Sequence, residues 1–145
     1  MSEAVFWVAP VAAVVGLLFA GLFFRDMQRQ DEGTELMRTI GGHVRQGAMT
    51  YLRQQYRIML WVFSALALLF ALLAYGLGVQ NPWLPFTFVC GGFFSALAGY
   101  FGMQTATLAS TRTAAAARTS LARGLRVSFR SGAVIGLVVV GLGLG

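Results

Sequence analysis

The chain has 145 residues, of which 57% are hydrophobic and only 11% are charged. Because an average soluble domain carries about 25% charged residues, this composition argues against a soluble domain. The formal net charge of +6 suggests a nucleic-acid partner, but no charged residue falls between positions 58 and 111. The single cysteine, Cys90, excludes an intramolecular disulfide framework.

The first element is an uncharged segment at positions 4–24, "AVFWVAPVAAVVGLLFAGLFF". It is long enough to cross a bilayer, which takes about 20 apolar residues. A signal peptide would have a positive region before its apolar core, whereas here only Glu3 precedes it and the arginines follow. We therefore predict a retained first span, with Pro10 near its outer end.

The connection at positions 25–57 is predicted to contain an amphipathic helix that runs into a second span at 58–79. Thr34 is the expected N-cap, and Glu35 lies in the first turn, where the helix dipole favours an acid. Apolar residues recur at steps of three and four, as on one face of a helix. They are Met37, Ile40, Val44, Ala48 and Tyr51.

Two further spans follow. "QNP" at positions 80–82 predicts a turn, and the third span is expected at 84–106. The alanine-rich connection at 107–130 is expected to be helical, with Gly124 as a break. The fourth span, 131–145, would be about 22 Å long against a hydrocarbon core of roughly 30 Å. We therefore expect a truncated fourth span that continues past Gly145, and a natural start at Met1.

The arginines orient these spans. Six lie in the connection at 25–57 and five in the connection at 107–130, while the N-terminus and the turn at 80–82 have none. Arginine in short loops is retained on the cytoplasmic side. The sequence therefore predicts a multi-pass protein of the cell membrane, with its N-terminus outside and both connections in the cytoplasm.

Small residues predict which spans pack closely, because small residues four apart let helix backbones approach each other in lipid. The third span has Gly91, Ser95 and Gly99, and the fourth has Gly132 and Gly136. We expect close neighbours on more than one side of these spans, in a bundle larger than four helices. Leucine at Gly99 or Gly136 is then expected to lower stability, whereas the second span suits a lipid-facing position.

Few residues suggest chemistry. The arginines at 107–130 could hold a phosphate bidentately, but a role in topology and in contact with anionic headgroups is favoured. His43 has no acid or cysteine partner at ligand spacing, and the thiol of Cys90 in an apolar span should stay protonated and inert. The glycines of "GLGLG" at 141–145 lack the strand and lysine of a phosphate-binding loop, so we assign them to packing.

The absent residue types are informative. From Leu36 to Gly145 there is no Asp, Glu or Lys. Phosphoryl chemistry with magnesium needs clustered carboxylates, and an ion path needs an ionisable residue within a span. We therefore predict no catalytic, cofactor-binding or metal-binding residue in this chain.

Three stretches together resemble the N-terminal part of membrane-bound, ion-translocating pyrophosphatases. The matching residues are Gly47, Ala48, Tyr51 and Leu52; then Gly102, Met103, Ala106, Thr107, Arg112 and Thr113; and finally Phe129, Arg130, Gly132, Ala133, Val134 and Gly136. Ser110 stands where the family usually has Asn, and Ile135 where Met is common.

This resemblance implies a sixteen-helix homodimer that hydrolyses cytoplasmic pyrophosphate with Mg²⁺ and moves H⁺ or Na⁺ outward. The first four helices would belong to an outer ring, and the ligands of Mg²⁺ would lie in later helices. K⁺ is a further candidate cofactor. No catalytic residue of the family falls on this sequence.

Two other functions stay open on the residues alone. The first is a complete small multi-pass membrane protein that acts as a non-catalytic interaction subunit through its glycine faces. The second, motivated only by the basic composition, is a membrane-attached nucleic-acid binder. It is the least favoured, and we predict no nucleic-acid partner.

Overall fold

The computed structural model describes residues 2–76, 81 and 83–144, with side chains between residues 7 and 143. In this part of the chain the secondary structure is helical, without strands. The helices are α1 (Ser2–Gln28), α2 (Glu35–Ala71), α3 (Leu84–Thr119) and α4 (Leu121–Leu144), and a π-helical turn, Leu72–Gly76, prolongs α2. All four helices are long and apolar enough to cross a membrane, which confirms an all-α, multi-pass membrane protein.

The predicted start of α2 is confirmed. The Thr34 side chain accepts a hydrogen bond from the Met37 backbone N–H at 3.4 Å, and Glu35 lies in the first turn. Gly33 turns the chain just before this cap, with a φ of 85° in the left-handed region that favours glycine. The 37-residue helix then runs without interruption from the polar connection into the apolar segment, as expected.

The expected apolar stripe on α2 packs only in part within this chain. Ile40, Val44 and Tyr51 are exposed, whereas Met37 and Ala48 are half-buried. The contact face continues through Leu52, which is buried, and Tyr56, whose hydroxyl donates to the Ala96 carbonyl of α3. Periodicity identifies an apolar face of a helix but does not say which of its residues a neighbouring helix covers.

The break between α3 and α4 lies at Ser120, and the prediction of a break at Gly124 is wrong. Ser120 has extended backbone angles (φ −163°, ψ 134°), while Gly124 lies inside α4. A Cβ at Gly124 would lie 2.8 Å from the Cβ of Ala117. This glycine therefore permits the close approach of α3 and α4 after the break.

The helices pack in the spatial order α1, α4, α3, α2, so α3 has close neighbours on two sides, as predicted. At the α2–α3 contact, Phe63 stacks on Phe88 with ring centroids 4.9 Å apart, and Phe70 meets Phe88 edge-on at 5.0 Å. Gly92 lies directly beneath Phe63, where a Cβ would overlap the ring.

The close helix packing predicted at the glycines is found at some of these positions and not at others. A Cβ at Gly99 would lie 2.9 Å from the Tyr56 hydroxyl, so close packing at Gly99 is confirmed. Gly91, Gly132 and Gly136 have no atom within 4 Å of such a Cβ in the described structure. The close packing expected at Gly136 is therefore not supplied by this chain.

A buried apolar cluster lies where α1 ends, and consists of Met27, only 1% exposed, with Leu108 and Ala109 of α3. At the opposite end, the Asn81 side chain accepts from the Trp83 backbone N–H at 3.1 Å, as expected of a turn residue. Gln80 and Pro82 of the predicted turn, the end of the second span at 77–79, and Gly145 lie outside the described residues.

Candidate functional site at the charged end

The ends of α1 and α3, the starts of α2 and α4, and the connection at 29–34 meet at one end of the bundle, called the charged end below. Three acids of α1 and of the connection at 29–34 pair here with arginines of α2, α3 and α4. Asp26 pairs with Arg130 of α4, Asp31 with Arg38 of α2, and Glu32 with Arg112 of α3.

Arg112 is the most deeply placed of these arginines, with its side chain 8% exposed. Its Nη2 lies 2.6 Å from a carboxylate oxygen of Glu32, and its Nη1 donates to the Leu108 carbonyl at 2.8 Å. Its Nε donates to the Gln30 carbonyl at 3.3 Å. A buried guanidinium needs such partners on each of its nitrogens, because burying a charge without them is costly. Arg112 thereby attaches the α1–α2 connection to α3.

Asp31 organises the turn that precedes α2. Its carboxylate accepts from the Gly33 backbone N–H at 3.0 Å and from Arg38 at 3.5 Å. The Gly33 hydrogen bond, followed by the Arg38 contacts, holds the pKa of Asp31 below its ordinary value of 3.8. Because this pKa is depressed in the folded chain, the stabilising contribution is present above the ordinary pKa and is lost as the pH falls through the lower one.

A cavity of about 780 Å³ opens between these elements. Two aspartates, Asp26 and Asp31, face it from the α1–α2 side. On the other side the end of α3 and the start of α4 contribute four arginines: Arg118, Arg123, Arg126 and Arg130. The cavity is therefore net basic, and guanidinium groups in such a place can bind phosphate or carboxylate oxygens.

The other residues considered from the sequence are not brought together. His43 borders a shallow groove on α2 with Gln46 and Thr50, and Cys90 is exposed on α3. Gly141 and Gly143 lie within helix α4, so this glycine-rich segment is not a phosphate-binding loop.

The charged end does not fit a magnesium site. Among the described residues no three His, Cys, Asp or Glu side chains form a group that could hold a metal ion. Asp26, Asp31 and Glu32 each have an arginine as their partner instead. Mg²⁺ requires oxygen ligands in near-octahedral geometry, which carboxylates held by guanidinium groups do not provide here.

Several residues of the three sequence motifs prove to have packing roles. Leu52 and Val134 are buried, and Arg112 and Arg130 form the ion pairs described above. The buried hydroxyl of Thr107 donates to the Met103 carbonyl at 2.9 Å. Arg112 and Arg130 thus join separate helices, whereas the hydrogen bond of Thr107 lies within α3.

Sequence reasoning missed the ion pairs, although a signal was available. Four of the five acids lie at positions 26–35, and five arginines lie at 107–130. Both segments must emerge at the same end of the bundle, since an even number of spans separates them. Charge complementarity between these two segments therefore indicates that they are in contact. The interpretation favoured from the sequence, a role of the arginines in topology and at lipid headgroups, does not include these ion pairs.

Comparison with known proteins identifies the family. The family described as inorganic H⁺ pyrophosphatase matches residues 14–145 of this chain. The chain belongs to this family. The resemblance found in the three motifs is thereby confirmed.

Curated members of the H⁺ pyrophosphatase family match nearly the whole chain. A protein of Bacteroides thetaiotaomicron, named as a candidate K⁺-stimulated pyrophosphate-energised sodium pump, is 57% identical over 99% of the chain. A K⁺-insensitive pyrophosphate-energised proton pump of Moorella thermoacetica is 39% identical over 96% of it, and one of Methanosarcina mazei is 36% identical over 98%. The chain spans only about a fifth of the length of these relatives (20%, 20% and 21%).

Proposed function

We propose that this chain is the N-terminal, outer-ring part of a membrane pump that couples hydrolysis of cytoplasmic pyrophosphate to outward transport of H⁺ or Na⁺. The observation that carries this proposal is the family match over residues 14–145. The relatives are named as pyrophosphate-energised sodium or proton pumps, which disfavours a stand-alone interaction subunit.

Within such a pump the chain acts as scaffolding. Its carboxylates at the charged end hold arginines of α2, α3 and α4, so they are engaged in structural ion pairs. The groups that bind pyrophosphate and Mg²⁺ then come from other parts of the protein, and no residue of this chain is assigned to catalysis. K⁺ is a candidate activator, and a homodimer is the proposed assembly.

The proposed orientation places the N-terminus outside and the charged end in the cytoplasm. It is supported by the eleven arginines, which all lie in the two connections at 25–57 and 107–130, and by the positive-inside rule. On this proposal positions 1–145 form one transmembrane portion, with spans near 4–24, 58–79, 84–106 and 131–145 and cytoplasmic connections near 25–57 and 107–130.

The test is to express the full gene and measure Mg²⁺-dependent hydrolysis of pyrophosphate in inverted membrane vesicles, together with H⁺ or Na⁺ uptake. We expect hydrolysis coupled to uptake of one of these ions. The 145-residue chain, inserted into the same membranes, is expected to show neither. Turnover by the 145-residue chain alone, or a full gene product without pyrophosphatase activity, would contradict the proposal.

A further inference from the structure

The first turns of α4 carry a stripe of positive charge. Arg123, Arg126 and Arg130 follow each other at steps of three and four, which places them on one side of the helix. Arg130 is paired with Asp26. Arg123 and Arg126 have no ion pair or side-chain hydrogen bond within the described chain, and both are exposed at the edge of the 780 Å³ cavity.

Arg123 and Arg126 have no acidic partner among the described residues. Like charges three or four residues apart on a helix repel each other, and the two aspartates that border the cavity already face Arg130 and Arg38. An anion placed between Arg123 and Arg126 would relieve this repulsion. Phosphate oxygens suit the site because guanidinium groups bind them with paired hydrogen bonds.

An exposed apolar face of α4 adjoins the basic cavity. Leu125 and Phe129, one helical turn apart on α4, are 62% and 81% exposed. They line a second, open cavity of about 610 Å³, and its lining residues all belong to α4. Arg126 and Arg130 border both cavities, so a charged pocket and an apolar helix face meet along the same two side chains.

The meeting point lies at the boundary of the apolar part of α4. Arg130 is the last charged residue of the chain, and the rest of α4 is uncharged. At the same level α1 ends its uncharged stretch, since Asp26 contacts Arg130. Phospholipid headgroups occupy this level in a bilayer, and arginine near the surface attracts the anionic ones.

We propose that the charged end holds an anionic phospholipid, with its phosphate against Arg123 and Arg126 and an acyl chain along Leu125 and Phe129. Free phosphate shares the charged half of this chemistry. The adjoining apolar face of α4 favours a ligand that is both anionic and apolar. This inference depends on the four spanning helices and does not require pump activity.

The test uses the protein expressed from its full gene, purified in neutral detergent, stripped of lipid and titrated with phosphatidylglycerol or phosphatidylcholine. Bound lipid is counted by native mass spectrometry. We expect preferential retention of phosphatidylglycerol. Arg123→Gln with Arg126→Gln should weaken that binding about 10- to 30-fold, since each surface arginine contributes on the order of 1 kcal/mol to anionic-lipid binding.

The matched control is Arg45→Gln with Arg53→Gln, which removes the same charge from exposed positions of α2 away from both cavities. It should leave the preference intact. An equal loss in both double variants would show a general charge effect and overturn the site. If the Arg123/Arg126 double variant does not fold, Arg126→Gln alone gives a second reading, with a smaller loss expected.

Two further arms distinguish the sources of the phosphate. Leu125→Gln with Phe129→Gln should weaken phosphatidylglycerol binding. Inorganic phosphate at millimolar concentration should not displace the lipid. Displacement by inorganic phosphate, together with no effect of the Leu125/Phe129 variant, would make the cavity a site for a free anion and overturn the lipid proposal. Equal retention of phosphatidylcholine would overturn it as well.

Discussion

Arg112 is the residue that most directly couples distant parts of the sequence. Its guanidinium joins the carbonyl of Gln30, which lies 82 positions away, to the side chain of Glu32 and to α3 itself. The planar fork of arginine reaches these acceptors at once, and a lysine ammonium would reach fewer of them.

We expect Arg112→Ala to lower the free energy of unfolding by about 1–3 kcal/mol, because it removes the donor to the Gln30 and Leu108 carbonyls and the partner of Glu32. Arg112→Lys should cost less but still destabilise, since it keeps the charge and loses the fork. Denaturation in mixed micelles measures both. Arg53→Ala, at an exposed position of α2, is the control and should have little effect. Equal stability of the Arg112→Ala variant and the parent chain would contradict this role.

A neighbouring pair of glycines provides a sharper test of packing. A Cβ at Gly92 would overlap the Phe63 ring, which is itself held against Phe88, while a Cβ at Gly91 would meet nothing within 4 Å. Gly92→Ala should therefore destabilise by about 1–3 kcal/mol through overpacking. Gly91→Ala should be neutral or stabilising by up to about 1 kcal/mol, since alanine favours a helix. Thermal unfolding in detergent compares the stabilities of the two variants. A Gly91→Ala variant less stable than the Gly92→Ala variant would refute the α2–α3 contact.

At the scale of elements, the α3–α4 junction fixes the geometry of the charged end. Ser120 leaves the helical conformation for one residue, and α4 then folds back along α3. Gly124 permits the two backbones to approach at this point, since even a methyl group there would lie 3.0 Å from the Cα of Ala117. The approach places the α4 arginines opposite the end of α1, where Arg130 meets Asp26.

Gly124→Ala is expected to push α4 away from α3 and to lower stability by about 1–3 kcal/mol. The added methyl group would lie close to backbone atoms of Ala117, and backbone moves less readily than the tip of a side chain. Gly132→Ala, in the same helix with open space around it, is the matched control and should not destabilise. The measurement is the thermal midpoint in detergent. If both variants behave alike, the junction does not depend on close contact at Gly124.

At the scale of the whole molecule, the row of four helices leaves wide apolar faces open. Gly136 has open space around it, and Val139 and Val140 of the same helix are exposed. By contrast, Gly141 packs on α1, where a Cβ would lie 2.8 Å from Leu17. A substitution at Gly141 therefore tests the contact between α1 and α4, whereas a substitution at Gly136 tests contacts made outside this chain.

We expect Gly141→Leu to destabilise the 145-residue chain in detergent, whereas Gly136→Leu should leave its thermal midpoint unchanged. In the protein from the full gene, both variants should lower it, because a further helix is proposed to pack on Gly136. An unchanged midpoint for Gly136→Leu in the full gene product would count against that neighbour and against the larger bundle.

The features that could be predicted from the amino-acid sequence are local in the chain. Hydropathy over about 20 residues identified four membrane-spanning helices, and the Thr34 cap fixed the start of α2. Three short motifs pointed to the family, and the family match confirmed them. Each of these depends on residues within a few turns of one another, so no knowledge of helix neighbours was needed.

Which helix faces and which charges meet became evident only from the packing of the helices. The pairing of Asp26 with Arg130 spans 104 positions and requires α1 to lie beside α4, an order that no periodicity encodes. The contact face of α2 and the true role of Gly124 likewise depend on neighbouring helices. In lipid, apolar side chains gain little by burial against another helix, so close steric fit and ion pairing select the partners instead of hydrophobicity.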